Sequence, residues 1–457
     1  MALCKSFFLF LLFLCSLSRS TQETPNPKRN FFKPSLNFSL SFPLTSLPLS
    51  RPSPASHLSS LTSSSTKQAP KTNPSPRNPY PYRSQFKYTM ALIVSLPIGT
   101  PPQTQQMVID TGSQLSWVQC KKKSTVRNPQ KQLPSSFDPS RSSTFSFLPC
   151  NNPICKPRIP DFTLPTNCDQ NRLCHYSYFY ADGTLAEGNL VREKVTFSSS
   201  QATPPLILGC ASGSDVSTEG ILGMNLGRLS FASQAKVSKF SYCVPVRPNR
   251  GLVPPVGSFY LGENPSSGVF RYVDLLTFDR TQSQRMPNFD PLAYTVGMEG
   301  IRIGAKRLDI PRSVFRPDAG GAGQTMIDSG TEYTFLVEGA YTKVREEIMR
   351  LVGSRVKKGY VYGQALDLCF NGDAEEIGRL VGDVVLELEK GVEIVVDKGR
   401  VLANVGGGVH CLSFGRSDLL GVESNIIGNV HQQNLWVEFD LANRRVGFGR
   451  ADCSRSA

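Results

Sequence analysis

Histidine and tryptophan are scarce in this chain of 457 residues, with four and two copies, and no C-x-x-C knuckle occurs. Structural zinc needs Cys or His ligands at short, paired spacing, and His57, His175, His410 and His431 are scattered singly. Neither a metal nor an organic cofactor is therefore expected. Long apolar runs are also missing: the stretch 7–17 falls short of the roughly 20 residues that cross a bilayer. With Lys5 before it and Ser18, Arg19 and Ser20 after it, residues 1–20 read as a secretory signal peptide, and no stable membrane anchor is expected. Acidic residues are almost absent from the first part of the chain. Up to Lys87 eleven basic residues face Glu23 alone, so +10 of the formal +14 sits there and the rest is nearly balanced. That distribution argues against a basic face for nucleic acid.

Residues 21–87 are rich in Ser and Pro. Such a composition buries too little apolar surface to offset the entropy of ordering, and the segment reads as a basic leader removed as a propeptide. Two roles stay open for its charge: simple solvation, or neutralising an acidic cleft before maturation. Beyond the signal peptide ten cysteines remain, an even number that fits disulfides formed in an oxidising compartment. The secretory pathway is the expected route, with the extracellular space as its default end and the endoplasmic reticulum or vacuole as the alternatives.

What the chain does have is one phrase written twice. Val108-Ile109-Asp110-Thr111-Gly112-Ser113 returns 218 positions later as Met326-Ile327-Asp328-Ser329-Gly330-Thr331. In each copy two apolar residues end a buried strand, the glycine permits a tight turn, and the hydroxyls can bond the carboxylate. The repeat continues, because Gly220-Ile221-Leu222-Gly223 and Asn425-Ile426-Ile427-Gly428 follow their aspartates at similar intervals, 111 and 98 residues to the first isoleucine. Two related lobes are implied. From Tyr88 onward, short apolar alternations such as 91–96 and 384–388 are broken by turn residues, which predicts a mainly β body. One amphipathic helix is expected over 337–352, where Val337, Tyr341, Val344, Ile348 and Val352 share a face. The first lobe is placed at 88–250 with Asp110, and the second at 251–457 with Asp328.

Two carboxylates within hydrogen-bonding distance cannot both ionise cheaply, so they share a proton and titrate as a pair. The charged member can deprotonate a water while the neutral one protonates a carbonyl. These residues resemble the pepsin-like aspartic proteases, over the chain from about Tyr88 to its end. The resemblance implies an all-β, bilobal fold with the active site in the cleft between the lobes. It implies Asp110 and Asp328 as the catalytic pair, with Thr111, Gly112, Ser113, Ser329, Gly330 and Thr331 in support; the proton-sharing logic of such pairs is itself drawn from this family. Ile98-Gly99-Thr100-Pro101-Pro102 looks like the family's N-terminal turn. Tyr180-Ala181-Asp182-Gly183-Thr184 looks like its flap, with Tyr180 at the tip and Trp117, seven residues after Asp110, as the tyrosine's hydrogen-bond partner.

The cysteines narrow the likeness to the plant nepenthesin-type, or atypical, aspartic proteases. By that likeness Cys120 pairs with Cys210, Cys369 with Cys411, Cys150 with Cys174, Cys155 with Cys168, and Cys243 with Cys453. The implied protein is a monomeric secreted endopeptidase taking protein or peptide substrates, most active at acidic pH. The competing reading is a catalytically silent binding or inhibitor protein on the same fold, as in plant xylanase inhibitors. Both Asp-Thr/Ser-Gly motifs are intact here, which favours the enzyme.

Overall fold

Period-two alternation of apolar side chains runs through most of the sequence and produces strands that bury one face. The computed structural model describes residues 39–47, 82–84, 90–121, 136–156, 166–180, 185–212, 219–246, 256–363 and 366–455. The Asp110 strand, Gln103–Asp110, pairs antiparallel with Ala91–Ile98 and parallel with Gly220–Gly223. Gly220–Gly223 meets Trp117–Gln119, which runs parallel to Leu206–Ala211. The second lobe repeats this order in a separate sheet: Thr325–Ile327 lies parallel to Asn425–Ile427, which meets Thr334–Leu336, which is parallel to Phe414–Arg416. The two phrases thus end equivalent strands in equivalent sheets.

A platform joins the halves. Lys239–Cys243 pairs with Leu435–Asp440 from near the end of the chain, and on its other edge with Gly257–Leu261. Phe240, Tyr294 and Phe439 pack together in the core beneath, with Phe240 stacked on Phe439 at 4.6 Å.

The platform reaches the first lobe through a strand from the Ser/Pro-rich leader, whose composition argues against ordering. Leu40–Leu47 lies between Gly257–Leu261 and Ala91–Ile98, antiparallel to both. Leu44 is 1% exposed, and the Phe42 ring lies 5.8 Å from Phe197 and 6.1 Å from Phe259. Averaged over 21–87, composition conceals eight residues with strand alternation whose stability comes from two waiting edges rather than from the segment itself. A second leader piece, Tyr82–Ser84, pairs with Tyr360–Tyr362 of the second lobe.

The long helix spans Glu338–Val352 and buries Tyr341, Val344, Ile348 and Val352; Val337 is its cap, whose N–H bonds Asn425 Oδ1 at 3.0 Å. Five disulfides form. Cys120–Cys210, Cys243–Cys453 and Cys369–Cys411 match the pairing the resemblance implied. The other two are crossed rather than nested: Cys150 joins Cys168 and Cys155 joins Cys174. Asn167–Cys168 pairs with Cys174–Phe179 so that Cys168 stands directly opposite Cys174. The turn after Leu148 then sets one partner beside each, with Cα separations of 5.5 and 5.4 Å. Among the described residues no helix is long and apolar enough to cross a membrane.

Candidate active site

Each aspartate is held by its own turn. Gly112 N–H donates to Asp110 Oδ1 at 2.9 Å and Ser113 Oγ to Oδ2 at 2.5 Å. In the second lobe Gly330 N–H donates to Asp328 Oδ1 at 2.9 Å and Thr331 Oγ1 to Oδ2 at 2.5 Å. The glycines also let the turns meet face to face. A Cβ on Gly112 would stand 2.9 Å from the Asp328 carboxyl, and one on Gly330 would collide with that of Asp110. At these two positions only hydrogen fits between one lobe's backbone and the other lobe's carboxylate.

The middle residues of the phrases lock the lobes together. Thr111 Oγ1 accepts from Ser329 N–H at 2.9 Å and donates to Ile327 O at 3.1 Å. Ser329 Oγ accepts from Thr111 N–H at 3.1 Å and donates to Ile109 O at 2.7 Å. Both residues are fully buried, so each unmade bond would leave a polar group without water.

Burial, followed by the negative charge of Asp328, raises the Asp110 carboxyl from its ordinary 3.8 to about 7. Asp328 is raised too, chiefly by burial, while the bonds from Thr331 and Gly330 pull the other way. The pair therefore holds a proton well into the range where an ordinary carboxyl has lost it.

Trp117 Nε1–H donates to Tyr180 Oη at 2.7 Å, and the Tyr180 ring meets Tyr178 edge-on at 5.0 Å. Burial pushes the Tyr180 phenol well above its ordinary value, so it stays protonated. The hairpin expected at Ala181, Asp182, Gly183 and Thr184 lies outside the described residues.

Several residues at the site carry no mark in the twofold phrase. Asn225 Nδ2 donates to Gly112 O at 3.4 Å, and Asn429 Nδ2 to Ser329 O at 2.8 Å. Gln432 Nε2 donates to Ile427 O at 2.7 Å and Asp328 O at 3.2 Å, and its Oε1 accepts from Tyr242 Oη in the platform. Ser116 and Thr334, each six residues after its aspartate, take the N–H groups of Gly223 at 3.0 Å and Gly428 at 3.2 Å. That last pair was within reach of sequence, since Asp-x-Gly-x-x-x-Ser/Thr is common to both copies.

Two lobes that press a proton-sharing pair of aspartates together, with an anchored tyrosine near one of them, define a pepsin-like aspartic endopeptidase. Comparison agrees with that class. Residues 92–253 match the family model described as xylanase inhibitor N-terminal, and 293–450 the one described as xylanase inhibitor C-terminal. The chain is 40% identical to aspartic proteinase PCS1 of Arabidopsis thaliana over 81% of its own length and 84% of the relative. It is 30% identical to aspartic proteinase nepenthesin-1 of Nepenthes gracilis over 80% and 78%. The crystal structure of edgp superposes with a TM-score of 0.58 at 18% identity, covering 92% of this chain and 96% of that one. Basic 7S globulin from soybean gives 0.56 at 16%, covering 91% and 100%. The two structures speak for the fold alone. The chain belongs to the plant aspartic proteinases.

Proposed function

We propose that Asp110 and Asp328 are the catalytic pair of this endopeptidase, acting on an extended peptide laid across the cleft. The carrying observation is the close approach of the buried Asp110 carboxyl and the half-buried Asp328 carboxyl through Gly112 and Gly330. In this reading the ionised member takes a proton from water as its oxygen attacks the scissile carbonyl. The protonated member gives its proton to the carbonyl oxygen, and collapse of the tetrahedral species breaks the C–N bond with proton return to the amine. Tyr180, fixed by Trp117, covers the substrate, while Thr111, Ser113, Ser329 and Thr331 hold the carboxyls in register. Conservative Asp110→Asn and Asp328→Asn variants of the matured protein test this on a denatured protein substrate. Wild type is expected to cleave at acidic pH and both variants to be slower by about a thousandfold; undiminished cleavage by either refutes the assignment.

We place this enzyme in the secretory pathway on the strength of its five disulfides, with the extracellular space as the default end, and take it to act as a monomer. The strand Leu40–Leu47 bears on maturation, because removal of all of 21–87 would take a strand out of the middle of the sheet. In our reading the working enzyme keeps that strand. N-terminal sequencing of the active form, with a search for any bound fragment upstream of Tyr88, decides it.

A further inference from the structure

His431 is 1% exposed in the short turn Asn429–Gln432, directly after the strand that supports Asp328. Its ring nitrogens meet two hydroxyls, Nε2 lying 2.8 Å from Ser413 Oγ and Nδ1 2.6 Å from Thr334 Oγ1. Both hydroxyls are fully buried and each has a second partner that fixes its direction. Ser413 Oγ–H points to the carbonyls of Arg400 and Val401 at 2.8 and 2.9 Å, so toward the ring it offers a lone pair. Nε2 must then carry the imidazole proton, and bare Nδ1 accepts from Thr334 Oγ1–H. Thr334's own lone pair accepts Gly428 N–H at 3.2 Å. Every donor in this buried relay finds an acceptor, running from Gly428 through Thr334, His431 and Ser413 to two carbonyls that share the Ser413 hydrogen.

We propose that His431 is a positioning residue for Asp328: its neutral Nε2–H tautomer accepts from the Thr334 hydroxyl, turns the Thr334 lone pair toward Gly428 N–H, and so fixes the end of the strand Asn425–Ile427 to which Asp328 N–H is bonded. The Asp328 loop depends on this stretch throughout. Asp328 N–H bonds Ile427 O at 3.1 Å, and Asn429 and Gln432 hold Ser329 O and Asp328 O. The first lobe does without an imidazole. Ser116 takes the Gly223 N–H there, and three residues past Gly223 stands Leu226 where three past Gly428 stands His431. Burial and the neighbouring Arg400 charge hold the imidazole at about 3, so it stays neutral at the mildly acidic pH where the pair works.

The inference rests on Asp328 being half of the catalytic pair, yet it fails separately, since Asp328→Asn tests that assignment without touching His431. His431→Leu removes both ring contacts, whereas His431→Gln restores one donor and one acceptor. With active molecules counted by a tight-binding transition-state analogue, His431→Leu is expected to lower kcat about tenfold with KM within twofold, and His431→Gln to recover most of the loss. Thr334→Val should match His431→Leu, and the double variant should be no worse than either alone. Unchanged kcat per active molecule, a loss confined to KM, or a Gln variant no better than Leu overturns the proposal. Nitrogen-15 spectra of the full wild-type chain labelled at histidine give a test independent of variant folding. They should show a neutral Nε2–H ring for His431 at pH 5, and a neutral Nδ1–H ring or an imidazolium overturns it.

Discussion

Asp110 and Asp328 receive the same bonds from their own turns, an N–H and a hydroxyl each at the same distances. Their surroundings differ sharply. Asp110 shares one large sheet with the strands that lead to Tyr180 and hold Cys168 and Cys174 of the crossed disulfides, and that sheet runs on through Leu40–Leu47 into the platform. Asp328 belongs to a separate four-stranded sheet and leans on a turn whose Asn429, His431 and Gln432 are all buried. The duplicated phrase thus builds a symmetric pair of acids, and in the reading proposed above the unlike shells give each lobe a second duty: closure over substrate in the first, rigid support in the second.

The most severe way to break that comparison is to remove one acid and ask whether the halves are equivalent. Asp110→Asn and Asp328→Asn should each lower kcat by about a thousandfold, the middle of the range that general acid–base catalysis supplies. Equal losses mean that the pair acts as one unit, and a tenfold or greater inequality would mean that one acid carries the chemistry. Stability should move the other way. The Asp110 carboxyl titrates higher folded than unfolded, so the native state binds the extra proton and is favoured at low pH. That advantage is lost as pH rises from 3.8 to about 7. Thermal melts from pH 3 to 8 should therefore show wild type losing stability across this window, with a flatter curve for Asp110→Asn. A wild-type curve that rises from pH 4 to 7 would contradict the shared proton.

Next in size is the link between the first lobe and the platform. Leu44→Ala removes a buried side chain between two strands and should cost about 3 kcal/mol. Denaturant unfolding measures it; a cost below about 1 kcal/mol would show that the strand does not hold the sheet together. The cross-lobe lock follows. Thr111→Val strands the Ser329 N–H and Ile327 O, at about 2 kcal/mol, and Ser329→Ala strands Thr111 N–H and Ile109 O to a similar extent. The double variant should cost clearly less than the sum, because all four bonds belong to one network. Strict additivity would indicate two independent supports.

What sequence revealed and what it concealed follow from the range of each interaction. The Asp turns were legible because Gly112, Ser113, Gly330 and Thr331 act on carboxylates two or three positions away. Two lobes were legible because their strand ends repeat at matching intervals. Leu40–Leu47 was hidden by the Ser/Pro-rich average around it, for a strand needs only alternation and free edges, and the edges come from 91–98 and 257–261. The crossed disulfides were hidden because the choice depends on how the turn after Leu148 folds over a two-residue ladder. Asn429 and Gln432 were hidden because their targets are backbone groups about a hundred residues away.

The smallest effect sharpens the difference between the shells. Trp117→Phe keeps the apolar body of a side chain only 1% exposed but deletes the N–H that fixes Tyr180. One hydrogen bond of this kind is worth about 1 kcal/mol, so kcat/KM should fall about fivefold with little change in melting temperature. The bond is made to Tyr180 rather than to either carboxyl, so the pH profile of kcat should keep its shape. Phe335, the residue after Thr334 as Trp117 is the residue after Ser116, has no donor to lose, and Phe335→Leu should leave kcat/KM within twofold. If Trp117→Phe instead shifts the pH profile, the indole acts on the acids themselves, and closure would no longer be the special duty of the first lobe.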